Sequence, residues 1–391
     1  MAKRPRVLLV LFEGLADTVV DSQVLDHARQ LTAAGIAEFE IWAFACSGAL
    51  VRKSRDKQAA AREMAASDVC VFRGVRPAVP FSTWLNGLLF GLHLLRRRPA
   101  FDALHARTDF STAVCGATGA RNWPLIWDCR GDAVAEIAAQ AASARGAKRW
   151  LAKARERRAA ATRRRAASAC DRALFVSRPL RALCAPLLRD KPAAVVPCAA
   201  AENRFFFDPA LRAQMRERLG YGDDARVYVY SGSLAPYQCF DETVALFAAL
   251  SAADDRARLL VLCPAADEAT RRVSTLDPAR VHVTAVPLSQ VNDHLNAADV
   301  ALMLREPTGV NRVASPTKFA EYCLAGLTVA MTDAVPDAVD AARTLGNLAL
   351  VNGTRIAWPP PPDRAGVAAA ARALLGKQHL LPRYADIYGT A

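Results

Sequence analysis

The chain has 391 residues, 52% of them apolar and 23% charged, a globular composition that excludes a disordered chain. That length fits two domains, and it can bury a substantial core without disulfides or metals. The formal net charge is +13, and from Arg145 to Lys191 fifteen Lys and Arg face only Glu156, Asp171 and Asp190, so the signal for an anionic partner is mostly local.

At the N-terminus, Val7-Leu8-Leu9-Val10-Leu11-Phe12 is too short for the apolar core of a secretory signal, and Glu13 follows at once. It reads as a first buried strand. Further strands are predicted at Glu40–Ala45, Val69–Arg73, Ala103–His105, Leu125–Asp128 and Ala173–Val176. A second series is predicted at Val227–Gly232, Leu259–Cys263, Val281–Val283, Val300–Leu304, Thr328–Met331 and Ala349–Val351. Short β-rich runs separated by helix-length segments imply parallel sheets joined by right-handed crossovers.

The seam falls near Val196-Pro197, which predicts an N-terminal domain over 1–197 and a second over 198–376. Trp358-Pro359-Pro360-Pro361-Pro362 reads as a stiff connector leading to an Ala-rich helix from Arg364 to Leu375. Tyr384 and Tyr388, four apart, suit a short packing helix at about 377–391, which is expected to return to the first domain.

The ten cysteines lie no closer than fourteen residues apart, so there is no CxxC pair, and zinc or iron–sulfur motifs of the usual spacing are excluded. Several sit inside apolar runs and read as buried thiols of a reducing compartment. The longest other apolar stretch, Phe81 to Leu95, is shorter than the ~20 residues that span a bilayer. A cytoplasmic protein is expected, with a peripheral position at the inner face of the plasma membrane left open.

Two such domains place functional residues just beyond the carboxyl ends of their strands, and a cleft between the domains is expected. After Val300–Leu304 comes a segment in which Ser315 suits an N-cap, Pro316 a first helical position and Gly326 a stop. Lys318 and Glu321, three apart, share a face. The pattern fits either an anion site with a carboxylate for a ribose diol or an ordinary capped surface helix with an ion pair. In the first half, Gly14 follows the first strand and fits either close ligand approach or a tight turn. Asp128 and Arg130 follow another strand. They could orient or deprotonate an acceptor hydroxyl and bind its phosphate, or form a structural pair. His105 ends a neighbouring strand, where a lone histidine is either structural or lines the site.

The segment Ala298-Asp299-Val300-Ala301-Leu302 … Ser315-Pro316-Thr317-Lys318-Phe319-Ala320-Glu321-Tyr322 … Ala325-Gly326-Leu327-Thr328-Val329 resembles the donor-site region of glycosyltransferase family 4. Tyr230-Ser231-Gly232-Ser233-Leu234 … Tyr237-Gln238-Cys239-Phe240-Asp241 is similar to that family's glycine loop. The resemblance implies the α/β GT-B fold, two Rossmann-like doubly wound domains. The first would bind the acceptor and the second a nucleotide sugar. It implies a retaining hexosyltransferase acting on a saccharide or lipid-linked acceptor in surface polysaccharide or glycolipid assembly. No metal and no cofactor beyond the donor itself are implied. Glu321 would take the ribose, and Gly14, Gly232, Ser233, Gln238, Arg312, Ser315, Pro316 and Lys318 would complete the binding set. Asp128, Arg130 and His105 are the catalytic candidates.

Two features depart from the family pattern. Val313 stands where many members have a second acid, and Ser233 and Gln238 stand where many have a basic pair for the pyrophosphate, which leaves Arg312 and Lys318 as the nearest cations. A nucleotide-sugar epimerase, and a non-catalytic relative that binds membrane or partner proteins, are the competing readings. The arginine-rich stretch Arg149-Trp150-Leu151 … Arg163-Arg164-Arg165, with Phe81 … Arg98, suits either an anionic membrane surface or a solvated helix beside a core helix. It lacks the interleaved aromatics and the motifs of a nucleic-acid binder.

Overall fold

The structure is a computed structural model that describes residues 4–15, 20–65, 70–79, 82–97, 100–118, 122–141 and 145–389. Val69, Phe81 and Arg98, named above, lie outside the described residues. The chain divides into two compact units, residues 1–196 with 381–391, and residues 197–380.

Unit 1 holds β1 (Arg6–Leu11), β2 (Glu38–Ala45), β3 (Cys70–Pro77), β4 (Ala103–Arg107), β5 (Leu125–Cys129), β6 (Arg172–Phe175) and β7 (Ala193–Val195). Their order is β3-β2-β1-β4-β5-β6-β7, every pair parallel. Unit 2 holds β8 (Arg226–Ser231), β9 (Ala257–Leu262), β10 (Val281–Thr284), β11 (Val300–Met303), β12 (Thr328–Met331), β13 (Leu348–Asn352) and β14 (Arg355–Ala357), in the order β10-β9-β8-β11-β12-β13-β14. Only β14 runs antiparallel, to β13. These are two doubly wound sheets with the same strand order, differing in the direction of the last strand.

The apolar runs are explained by burial on both faces. In unit 2, Val227, Val229, Ala301, Met303, Val329 and Met331 pack into one core. The alternate residues Tyr228, Tyr230, Val300, Leu302 and Ala330 pack into another. A strand covered by helices on both sides has no polar face, so its sequence reads as a continuous apolar run.

Two strands escape the sequence reading. β7 is Ala-Ala-Val, too short and too alanine-rich to signal a strand. β14 follows β13 through the two-residue loop Gly353-Thr354, with Gly353 at φ 60°, and glycine at the first central position is the hairpin signal that marks it. Helix Arg364–Leu375 has the predicted bounds. Tyr384 and Tyr388 lie on helix Pro382–Tyr388, their ring centroids 6.3 Å apart. Nine described cysteines are free thiols.

Gly326 ends helix Thr317–Leu324 at φ 69°, and a Cβ there would collide with the carbonyl oxygen of Arg364. Only glycine satisfies both the left-handed turn and the close approach of the next helix. Gly326→Ala is expected to lower stability by about 2–3 kcal/mol in urea denaturation. A loss under about 0.5 kcal/mol would show that the Arg364 backbone gives way.

Candidate functional site

In a doubly wound sheet the strand order reverses at one place, and ligands bind beyond the carboxyl ends there. In unit 2 that place lies between β8 and β11. The segment after β8 contains Gly232, Ser233 and Gln238. The segment after β11 contains Arg305, Arg312, Ser315 and Pro316 and runs into helix Thr317–Leu324.

The two segments are tied together by Tyr322. Its hydroxyl donates to the Ser231 carbonyl and accepts from the Ser231 N–H, both at 3.2 Å, at the end of β8. Tyr322 is fully buried, which pushes its phenol pKa well above the usual value and keeps the hydroxyl neutral. Tyr230 closes the loop from the other side, its hydroxyl donating to the Ser233 carbonyl at 2.6 Å. Gly232 bonds back to Leu262 at 3.0 Å. A Cβ at 232 would make only ordinary contacts with Tyr230 and Gln238, so the fold alone does not require glycine there.

Glu321 is buried, and Lys318 donates to its Oε2 at 3.0 Å, so the predicted shared face is present. The expectation of a surface helix is corrected: every residue from Phe319 to Leu324 is buried. Two capping expectations are also corrected. Pro316 occupies the N-cap, with no side-chain cap bond, and is not the first helical residue. Ser315 instead accepts from the Cys198 N–H at 2.8 Å, a tertiary bond that draws its hydroxyl away from capping. Arg312 ends the short helix Gly309–Arg312 with its side chain exposed, and Val313 is buried.

Sequence reasoning missed Arg305. It follows β11, is 7% exposed, and donates to Gln238 Oε1 at 2.6 Å, to the Gln238 carbonyl at 3.3 Å and to the Leu304 carbonyl at 2.7 Å. In the sequence it stands beside Glu306 and looks like an ordinary surface pair. Its position at the end of a switch-point strand was the signal that could have found it.

In unit 1 the reversal falls between β1 and β4. Parallel pairing of β4 with β5 sets Arg107 beside Asp128. Asp128 Oδ2 lies 3.4 Å from His105 Nε2, and its Oδ1 lies 3.5 Å from Arg130 Nη1. The three catalytic candidates are therefore brought together. Arg130 also donates to Gln23 Oε1 at 2.7 Å, and Arg107 reaches the same oxygen at 3.4 Å. Gln23 lies on the π-turn Asp21–Leu25, and turns of that kind recur at functional sites.

Burial alone would raise the Asp128 pKa, but Arg130, His105 and Arg107 outweigh it and hold the carboxyl well below the usual range. Asp128 is thus a weak base, suited to orienting and charge stabilisation and not to deprotonating a hydroxyl. His105 is buried, with Nε2 toward Asp128 and Nδ1 2.8 Å from the Tyr388 hydroxyl. Both ring nitrogens therefore face groups within the protein, an arrangement that suits positioning Asp128 more than contact with a ligand. Gly14, at φ 70°, faces Ser54, and a Cβ there would meet Ser54 Oγ at 2.6 Å. The turn reading of Gly14 accounts for it.

No family model matches the chain, and no curated protein matches it. Solved structures match over almost its whole length. Sucrose-phosphate synthase from Thermosynechococcus elongatus is 14% identical with a TM-score of 0.67, over 99% of this chain and 98% of that one. HepE from Anabaena, in complex with UDP, is 12% identical with a TM-score of 0.68, over 99% and 100%. WaaG, a glycosyltransferase involved in lipopolysaccharide biosynthesis, is 16% identical with a TM-score of 0.60, over 97% and 95%. With the two sheets of seven strands, these matches define the fold class as GT-B, two Rossmann-like domains.

Asp128→Asn is expected to cost about 3 kcal/mol at pH 7, because it leaves Arg130 and His105 facing a neutral group. A depressed carboxyl pKa stabilises the fold above its unfolded value of about 3.9, and that contribution is lost as pH falls through the folded value. The gap between variant and parent in denaturation midpoints should be full at pH 5–7 and narrow only below about pH 4. A gap that closes between pH 7 and 5 would contradict the depressed pKa.

Proposed function

We propose that the chain is a retaining hexosyltransferase that moves a sugar from a nucleotide sugar, held by unit 2, to a saccharide or lipid-linked acceptor held by unit 1. The observation that carries this reading is the Tyr322–Ser231 bridge, which joins the two segments resembling a family 4 donor site across 91 positions of sequence. Glu321 accepts the ribose hydroxyls, and Lys318 fixes its orientation. The Ser231-Gly232-Ser233 turn offers backbone to the phosphates. On unit 1, Asp128, ionised and held by His105, orients the acceptor, and Arg130 offers a cation to it. In a same-face transfer the leaving diphosphate takes the hydroxyl proton, so catalysis rests on positioning and charge.

Calorimetric titration with UDP, GDP and ADP tests the donor site. One base is expected to bind saturably, and Glu321→Gln to weaken it about 10- to 100-fold, the loss of a charged hydrogen-bond acceptor. Unchanged affinity in Glu321→Gln would remove the ribose assignment. Turnover of the nucleotide sugar without any acceptor would replace transfer by epimerisation.

The proposed setting is the cytoplasmic face of an anionic membrane, where a lipid-linked acceptor lies. Helix Thr83–Arg97 supports it. Trp84 is 64% and Leu95 60% exposed, and Leu85, Leu88, Leu89 and Leu92 share that outer face, while Asn86, Phe90 and Leu94 face the core. A helix apolar on both sides leaves one face without a partner among the described residues. Arg165, from the basic helix Ala147–Ala169, donates to Thr83 at the start of this helix, and Thr83–Arg97 contains no acid. The six outer residues include no hydrogen-bonding group but the Trp84 indole, which suits lipid better than a protein partner, whose interface carries about one hydrogen bond per 100–200 Å². No described helix is long and apolar enough to cross a membrane. Leu88→Ser with Leu92→Ser, and separately Arg155, Arg157 and Arg158→Ser, should each release the protein from phosphatidylglycerol-containing vesicles in a flotation assay. Undiminished flotation of both would remove the membrane setting.

A further inference from the structure

Four arginine side chains among the described residues are buried: Arg107, Arg163, Arg216 and Arg305. Three of them meet a carboxylate. Arg107 lies 2.8 Å from Glu13, Arg163 lies 2.6 Å from Asp132 and 3.3 Å from Asp109, and Arg216 lies 3.4 Å from Asp299. Arg305 has no carboxylate at ion-pair distance among the described residues. Its acceptors are the Gln238 amide oxygen and two backbone carbonyls, all neutral. Burying a full charge against neutral groups is costly, and a fold that keeps one commonly keeps it for a ligand of opposite charge. Desolvation pulls the Arg305 pKa below the usual arginine value, and the groups that oppose it are three phenols and a thiol, with no carboxylate among them.

The residue is also held in place. Its backbone N–H donates to Thr332 Oγ1 at 3.1 Å, and the Thr332 hydroxyl donates back to the Arg305 carbonyl at 2.7 Å. Gln238 and Leu304 take three guanidinium hydrogens, leaving the Nε–H and one Nη2 hydrogen without a protein acceptor among the described residues. A guanidinium with two donors to spare suits a phosphate. It sits beyond β11, whose neighbour β8 leads into the glycine loop that carries Gln238, so it belongs to the switch point of unit 2.

We propose that Arg305, presented by Gln238, is the diphosphate-binding cation of unit 2, supplied from β11 in place of a basic pair on the glycine loop. This assigns to Gln238 the role of a neutral holder and positioning residue, and it removes the diphosphate role from Arg312 and Lys318. Arg312 is exposed, and Lys318 is already paired with Glu321. Amide identity at 238 is then essential: a carboxylate there would form the ion pair that Arg305 lacks and would compete with the phosphates. The inference rests on the donor-site reading above.

Gln238→Glu and Arg305→Met test it, each titrated with whichever of UDP, GDP and ADP binds the parent, and with the corresponding monophosphate and nucleoside. Gln238→Glu should raise the thermal midpoint by about 2–4 °C and weaken the diphosphate at least about 100-fold, with the nucleoside changed less than about threefold. Arg305→Met should show the same graded loss, diphosphate more than monophosphate more than nucleoside. If Arg305→Met does not fold, Gln238→Glu still decides the matter. Diphosphate affinity within about threefold of the parent, or equal losses for diphosphate and nucleoside, would overturn the assignment. A parent protein that binds no nucleotide would instead overturn the donor reading, and this assignment with it.

Discussion

A strand can follow another in parallel only by crossing over the sheet, and every such crossover brings the chain back to the same edge. Both units obey this constraint, so all the parallel strands of each sheet end on one side, and the reversal of order leaves one gap per sheet that no crossover covers. The candidate site residues of this chain gather at those two gaps. Arg107 and Asp128 meet because β4 pairs with β5 in register, and Tyr322 reaches Ser231 because helix Thr317–Leu324 follows the strand next to β8.

Within that frame, the two sites use charge differently. In unit 1 the buried charges are matched: Asp128 faces Arg130, Arg107 faces Glu13, and Arg163 bridges Asp109 and Asp132. Burial raises the Asp109 pKa even with Arg163 opposing it, so that this network is held together at some cost. In unit 2 the carboxylate Glu321 and the cation Lys318 compensate each other, while Arg305 meets no carboxylate among the described residues. One region is electrically closed in the free protein, and the other is left with a surplus of one sign.

The architecture was legible because buried parallel strands have no polar face: eleven of the twelve predicted strands lie within two residues of the observed ends, Thr328–Met331 matches at both, and only Val69–Arg73 stops four residues short of Pro77. The spacing of Lys318 and Glu321 was legible too, since residues three apart on a helix meet whatever surrounds them. What the sequence hid were features decided by distant chain. Ser315 has every local property of an N-cap, and a backbone N–H from Cys198 takes it instead. His105 looks like a site histidine until Tyr388, 283 positions away, occupies its second nitrogen. Arg305 reads as a surface charge until Gln238 returns beside it. Whether the apolar run near Trp84 faces core or surface was likewise undecidable from composition, because that helix does both.

The hydrogen bond between Tyr388 and His105 has a consequence for the order in which the molecule is made. Residues 381–391 belong to unit 1, whereas everything from 197 to 380 forms unit 2. On the ribosome, the whole of unit 2 emerges between the body of unit 1 and the helix that completes it. At about 5–20 residues per second, the nascent first unit waits roughly 10–40 s with His105, Phe39 and His27 lacking their tyrosine neighbours. Unit 2 is a contiguous segment and can fold as it emerges. Unit 1 reaches its final packing only after unit 2 has been synthesised, so the later-made helix acts as a closing piece for the earlier-made body of unit 1.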